Sequence, residues 1–294
     1  MISRALLALL TLLASPAFAE TIETARGPVE LERPERVVVF DIAALDTLDA
    51  LGIAPVGVTD TLYFPHFDHL KDKAETVGTL FEPNFEAVAA LEPDLIVIGG
   101  RSATQFDALS AIAPTIDMTI GGDSLIGDAR ARLTAYGTLF GKDDAAAELA
   151  EGLDRAVADA KAAIEGKGNG LVLLTNGPKM SAFGPGSRFG WIHTDLGLPA
   201  AVATTYEGSH GEAVSFEFVQ KANPDWLVVV DRAAAVQQEG DSARQTLDNP
   251  LVHETTAWKE DHLVFLDPSS MYIAGGGVRS ITGLLGQITD AFGG

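Results

Sequence analysis

Three arginines, a histidine and a tyrosine have the types and placement to grip an anionic ligand: Arg101, Arg188, Arg232, His210 and Tyr272. Two of the arginines close equivalent segments. Asn84-Phe85-Glu86-Ala87-Val88, then Pro93-Asp94 and Leu95-Ile96-Val97-Ile98, leads to Arg101. Ser215-Phe216-Glu217-Phe218-Val219, then Pro224-Asp225 and Trp226-Leu227-Val228-Val229-Val230, leads to Arg232. From Phe85 to Arg101, seven of 17 positions recur in the copy 131 residues on. A guanidinium is always charged and donates in a planar fork, so a recurring arginine is suited to an anion. Taken singly, an arginine after a strand is more often a surface ion-pair partner, His210 a loop residue among glycines, and Tyr272 a rim aromatic; recurrence in the repeat brings Arg101 and Arg232 level with the binding reading.

The elements that would position these groups can be read from the same repeat. Asn84 and Ser215 are good helix N-caps, and Glu86 and Glu217 fall in the first turn, where the helix dipole favours an acid. Pro93 and Pro224 stop each helix, and an apolar run suited to a buried parallel strand follows. Arg101 and Arg232 then lie just past the carboxyl ends of equivalent strands, the ligand-binding edge of open α/β sheets. Arg188 sits in the turn Phe183-Gly184-Pro185-Gly186-Ser187-Arg188-Phe189-Gly190, and Tyr272 follows a strand at Leu263 to Leu266. Further strands are expected at Arg36–Phe40, Ala54–Val58, Thr115–Met118 and Leu171–Thr175. Helices are expected near Ala43–Leu51, Gln105–Ile112, Asp128–Phe140 and Val278–Phe292. Asp143 and Asp144 cap a long helix to about Glu165. The expected fold is α/β: two Rossmann-like lobes with mostly parallel sheets joined by one long helix. The expected divisions are 1–19 as a signal peptide, 20–142 as the first lobe, 143–166 as the connecting helix and 167–294 as the second lobe.

Composition narrows the partners. Arg4, the apolar stretch Ala5 to Ala14 and Ala17-Phe18-Ala19 form a cleavable export signal ending at Ala19, too short to span a bilayer. The chain has no cysteine, hence no lipid-anchor acceptor, and the expected location is the periplasm. A formal charge of −21 argues against nucleic acid or an anionic membrane as partner. It also makes clustered arginines more informative, since an anion needs local positive charge here. Nucleophile-elbow, zincin and Walker A motifs are missing from the sequence, so no catalytic residues are assigned and the chain is read as a non-enzyme. His66 and His69, in the aromatic-rich segment Tyr63 to His69, are read as solvated loop residues. A direct zinc or manganese carrier using His66, His69, His193 or His210 is the alternative reading.

With Ser181-Ala182-Phe183-Gly184, Ser187-Arg188-Phe189-Gly190, His210-Gly211, Val230-Asp231-Arg232 and Asp267-Pro268 through Tyr272 in this order, the chain resembles periplasmic ferric-siderophore-binding proteins. These are the two-lobed class with a connecting helix that serves ABC importers, and the likeness is greatest to the branch taking catecholate and petrobactin-type ligands. The resemblance implies that Arg101, Arg188 and Arg232 hold the anionic complex. It implies that His210 and Tyr272 complete the Fe(III) coordination of a tetradentate siderophore. Glu86 and Glu217 would dock to arginines of the permease dimer. The cargo would be an Fe(III)-siderophore complex, with no cofactor, and the binding protein would be a monomer without membrane insertion. One departure is local: Ser269-Ser270-Met271 precedes Tyr272 where aromatics are common in that branch.

Overall fold

The computed structural model describes residues 19–121, 124–203 and 211–294. An antiparallel hairpin, β1 (Glu20–Thr24) and β2 (Gly27–Leu31), precedes the first lobe. That lobe runs β3 (Val37–Val39), α1 (Ile42–Ala50), β4 (Gly57–Val58), β5 (Glu75–Thr76), α2 (Phe85–Ala90), β6 (Leu95–Ile98), α3 (Phe106–Ser110) and β7 (Thr115–Asp117). Its strands lie in the order β5-β4-β3-β6-β7 and every pairing is parallel. Val37, Val38 and Val39 face Leu95, Ile96 and Val97 in register, all buried, as a sheet covered on both faces requires.

Two helices follow, α4 (Leu125–Phe140) and α5 (Asp143–Ile164). Gly141 ends the first at φ 59°, and a side chain there would collide with the Arg33 guanidinium. The connecting helix α5 buries Ala146, Ala150, Leu153, Ala160 and Ile164, one stripe at helical spacing. Asp143 and Asp144 do not cap it. Lys142 is the N-cap, without a side-chain bond, and the two aspartates occupy the first turn, where they complement the dipole instead.

The second lobe comprises β8 (Gly170–Asn176), β9 (Lys179–Phe183), α6 (Trp191–Thr194), β10 (Glu212–Val214), α7 (Phe216–Ala222), β11 (Trp226–Asp231), α8 (Arg232–Ala235), α9 (Ala243–Leu247), α10 (Pro250–His253), α11 (Thr256–Lys259), β12 (Leu263–Phe265) and α12 (Val278–Gly293). Its sheet, β10-β9-β8-β11-β12, is parallel only from β8 to β12; β9 and β10 add an antiparallel edge. Among the described residues no helix is long and apolar enough to cross a membrane.

The repeat is structural. The Asn84 side chain accepts the Ala87 N–H at 3.1 Å, and the Ser215 hydroxyl accepts the Phe218 N–H at 3.4 Å. Each helix ends through a left-handed residue just before the proline, Glu92 at φ 45° and Asn223 at φ 40°. The aspartate after each proline then fastens the neighbouring strand. Asp94 accepts from Glu35 and Arg36 N–H groups at 2.8 and 2.9 Å, ahead of β3, and Asp225 accepts from Asn169 N–H at 2.9 Å, ahead of β8.

The C-terminal helix crosses back to the first lobe. It packs along α5 and against α1. Its N-cap, Gly277, has no side chain to satisfy the first N–H groups, and a Cβ there would lie 2.5 Å from Asp46 Oδ2. Asp46, fully buried on α1, takes that role from the other lobe. Its Oδ2 accepts from Arg279 and Ser280 N–H at 2.9 and 3.0 Å, and Thr47 Oγ1 accepts from Val278 N–H at 3.2 Å.

Candidate binding site between the lobes

Tyr272 is the centre of the site. It lies in a wide π-type turn, Ser269–Ile273, after β12, where the Ala274 N–H reaches back to the Ser269 carbonyl at 3.0 Å. The turn leaves the Tyr272 and Ile273 carbonyls free to accept from arginines. Arg101, just beyond β6 of the first lobe, donates to the Tyr272 carbonyl at 2.6 Å and to the Ile273 carbonyl at 3.1 Å. Arg188, from the turn after β9, also donates to the Tyr272 carbonyl. Arg232, at the end of β11, donates to the Tyr272 hydroxyl at 3.2 Å and to Asn176 Oδ1 at 3.4 Å. The guanidinium carbons of Arg188, Arg101 and Arg232 stand 4.5, 5.6 and 5.7 Å from the tyrosine ring centroid, within cation–π range.

The electrostatics follow from this crowding. Burial, together with the charge of Arg101, lowers the Arg188 pKa to about 10, with Tyr272 opposing, so the guanidinium stays charged at neutral pH. Burial alone would push the Tyr272 phenol up; the Arg232 hydrogen bond and the fields of Arg232, Arg188 and Arg101 outweigh it and hold the phenol below its ordinary value. Among the described residues, none of the three arginines has a carboxylate within ion-pair distance. Among the described residues the surface ion-pair reading of these arginines finds no partner. Three half-buried cations around a phenolate-prone tyrosine are an arrangement able to accept an anion.

The first lobe contributes two further groups at the same sheet edge that the sequence did not single out. Asp41, after β3, caps α1 by accepting the Ala44 N–H at 2.8 Å; burial raises its pKa against the pull of that bond and of Arg101. Tyr63, after β4, holds a left-handed φ of 65° and has its phenol raised by burial, against the field of Arg101. Asn176 and Phe189, whose ring lies 5.2 Å from the Arg188 carbon, were also missed, although each adjoins a strand end or an arginine that was read. His210 lies outside the described residues. Glu86 and Glu217 are exposed in the first turns of α2 and α7, at the opposite end of each repeat from its arginine, and Glu217 is held below the ordinary carboxylate range by the Ser215 hydroxyl and its own backbone N–H.

The histidine expectations change. His66 and His69 belong to a 3-10 turn, Pro65–Leu70, rather than a free loop. Their Nε2 atoms face Asp46 at 3.5 Å and Asp49 at 2.8 Å on α1, because the turn folds onto that helix. His193 is buried, with Nδ1 2.8 Å from the Leu198 carbonyl, and burial lowers its pKa despite that contact. Among the described residues no group of three or more histidine or carboxylate side chains could hold a metal ion. Two hollows border the cluster without including its arginines. One of about 380 Å³ lies by Asp231, Arg244 and Asp267, and one of about 540 Å³ lies by Asp49, His66 and Arg279.

Two α/β lobes on one connecting helix, with three arginines gathered where the lobes meet, are the build of a solute-binding protein of the two-lobed class. The chain belongs to the periplasmic binding protein family, whose model matches residues 37–270. It is 36% identical over 263 residues to the petrobactin-binding protein YclQ of Bacillus subtilis, covering 88% of this chain and 83% of that one. The crystal structure of YclQ superposes with a TM-score of 0.87 over 93% of this chain and 98% of that one, at 34% identity. The catecholate-siderophore binding protein VctP of Vibrio cholerae gives a TM-score of 0.86 at 34% identity, over 92% of this chain and 99% of that one. The ferric-anguibactin-binding protein FatB of Vibrio anguillarum is 30% identical over 268 residues, covering 88% of this chain and 83% of that one.

Proposed function

We propose that this protein captures a ferric catecholate siderophore outside the cytoplasm and hands it to an ABC permease dimer. The observation that carries the reading is the meeting of Arg101, Arg188 and Arg232 on Tyr272, with no carboxylate partner among the described residues. Iron(III) bound by two catecholates keeps one surplus negative charge, and bound by three it keeps three. Guanidinium groups can donate to the catecholate oxygens and lie on the aromatic faces. A two-catecholate ligand leaves two positions open at the iron. The phenolate of Tyr272 is a hard donor for a hard ion, and His210 is proposed as the second donor. Glu86 and Glu217, one exposed on each lobe, are proposed to meet arginines of the two permease subunits. The signal cleaved after Ala19, the periplasmic location and the monomeric state belong to the same reading, as do lobes at 20–142 and 167–294 joined by 143–166.

Its test is fluorescence titration with ferric bis-catecholate and tris-catecholate complexes. Submicromolar binding is expected, lost in the triple variant Arg101→Ala, Arg188→Ala, Arg232→Ala. Unchanged affinity in that variant would remove the proposal. The homologous YclQ and VctP, named for petrobactin and catecholate siderophores, support the ligand class.

A further inference from the structure

Two large apolar side chains stand out in solvent among the described residues, Phe81 at 59% exposure and Phe85 at 39%. They are neighbours in the chain and are interleaved with two exposed carboxylates, Glu82 and Glu86. Scattered exposed apolar residues are ordinary on a soluble surface, but a pair confined to one place calls for a partner. Nor is the exposure a sign of slack. The Thr79 hydroxyl accepts the N–H groups of Phe81 and Glu82 at 3.1 and 3.0 Å, and the Thr79 N–H donates to the Glu82 carbonyl at 3.0 Å. Gln105 donates to the Phe81 carbonyl at 3.3 Å, and Gly78 bridges to Pro83 across the base of the turn. The backbone is fixed on every side while the ring is left bare, an arrangement that lowers the ordering cost of an aromatic anchor.

The other lobe differs. Phe216, the counterpart of Phe85 in the repeat, is half-buried and packs with Phe218 on the second-lobe core. Its tip offers Glu217 without an exposed ring.

We propose that the Phe81–Glu86 segment inserts its two rings into an apolar, basic-rimmed pocket on the permease, making the first lobe the anchor and leaving the second lobe a charge contact only. The inference rests on the docking reading of Glu86 and Glu217 given above. Carboxylates beside both rings select a basic protein surface and oppose insertion into anionic lipid. An anchor on one lobe alone also makes the two docking contacts inequivalent, although on a two-fold symmetric permease dimer the two ways of seating the protein stay equal in energy.

The experiment supplies purified protein, loaded with radio-iron bis-catecholate, to iron-starved spheroplasts that lack their own copy, and reads the protein concentration giving half-maximal uptake. Phe81→Ser/Phe85→Ser is expected to raise that concentration at least ten-fold at both low and high salt, with ferric chelate binding in solution unchanged. Glu86→Ala is expected to raise it at low salt and much less at high salt, since a charge contact is screened. Normal half-saturation for the phenylalanine variant, with a defect for Glu86→Ala, overturns the anchor and leaves the docking reading standing. Normal values for both overturn both. Binding of the native protein to vesicles of phosphatidylethanolamine and phosphatidylglycerol, lost with the two rings, would assign them to lipid and overturn the proposal.

Discussion

Tyr272 receives donors from both lobes at once, on its carbonyl from Arg101 and Arg188 and on its hydroxyl from Arg232. The phenol is thereby readied for ionisation, whereas burial pushes the phenols of Tyr63 and Tyr136 the other way. Alkaline titration followed by tyrosinate absorbance should show a first step below the ordinary tyrosine range that disappears in Tyr272→Phe. The folded state favours the phenolate, so this group adds stability as pH climbs from its lowered pKa to the unfolded value near 10, and loses it as pH falls back. Tyr272→Phe should weaken binding of bis-catecholate iron by roughly ten- to a hundred-fold, about 1.4–3 kcal/mol, and change tris-catecholate binding little; equal losses in parallel titrations would remove the phenolate from the iron. Arg188→Ala should lower affinity for both complexes by at least about ten-fold, because a charge-assisted donor is lost whichever ligand is bound.

At the scale of elements, the repeated Pro-Asp pair has a structural task that its pattern did not disclose. Asp94 and Asp225 tie the starts of β3 and β8, so Asp94→Ala should cost about 1–2 kcal/mol and lower the melting temperature by several degrees without changing chelate affinity. Calorimetry beside a binding titration separates the two effects. The repeat made α2, β6, α7, β11 and the two terminal arginines legible, because N-cap, proline and apolar run are local signals. What escaped depended on partners distant in the chain. His66 and His69 are solvated, as read, but their contacts with Asp46 and Asp49 escaped because those residues meet them only after the 3-10 turn settles on α1. The antiparallel edge of β9 and β10 escaped because Lys179–Phe183 runs straight into a glycine-rich turn, whose punctuation hid the strand before it. At the site, the arginines were readable as charges; that no carboxylate among the described residues pairs with them in so acidic a chain is a property of packing alone.

The whole molecule is held by the last helix as much as by α5. Asp46→Ala would strand one buried and one part-buried N–H group of α12, costing about 2–3 kcal/mol, with a fall in melting temperature of roughly 4–12 °C. Asp46→Asn, which keeps an acceptor, should recover most of that loss in the same calorimetric scan. Replacing both Glu86 and Glu217 with alanine should leave chelate affinity intact and abolish iron uptake; normal uptake would return the two glutamates to a purely helical role. The seat of α12 on α1 also bears on how the chain matures. Synthesis proceeds from the N-terminus, so Asp46 of α1 lacks its helix partners until residues 279 and 280 arrive, 233 and 234 residues later. Completion of the earliest helix thus depends on the latest one, and a nascent protein shortened by its last sixteen residues would have neither half finished.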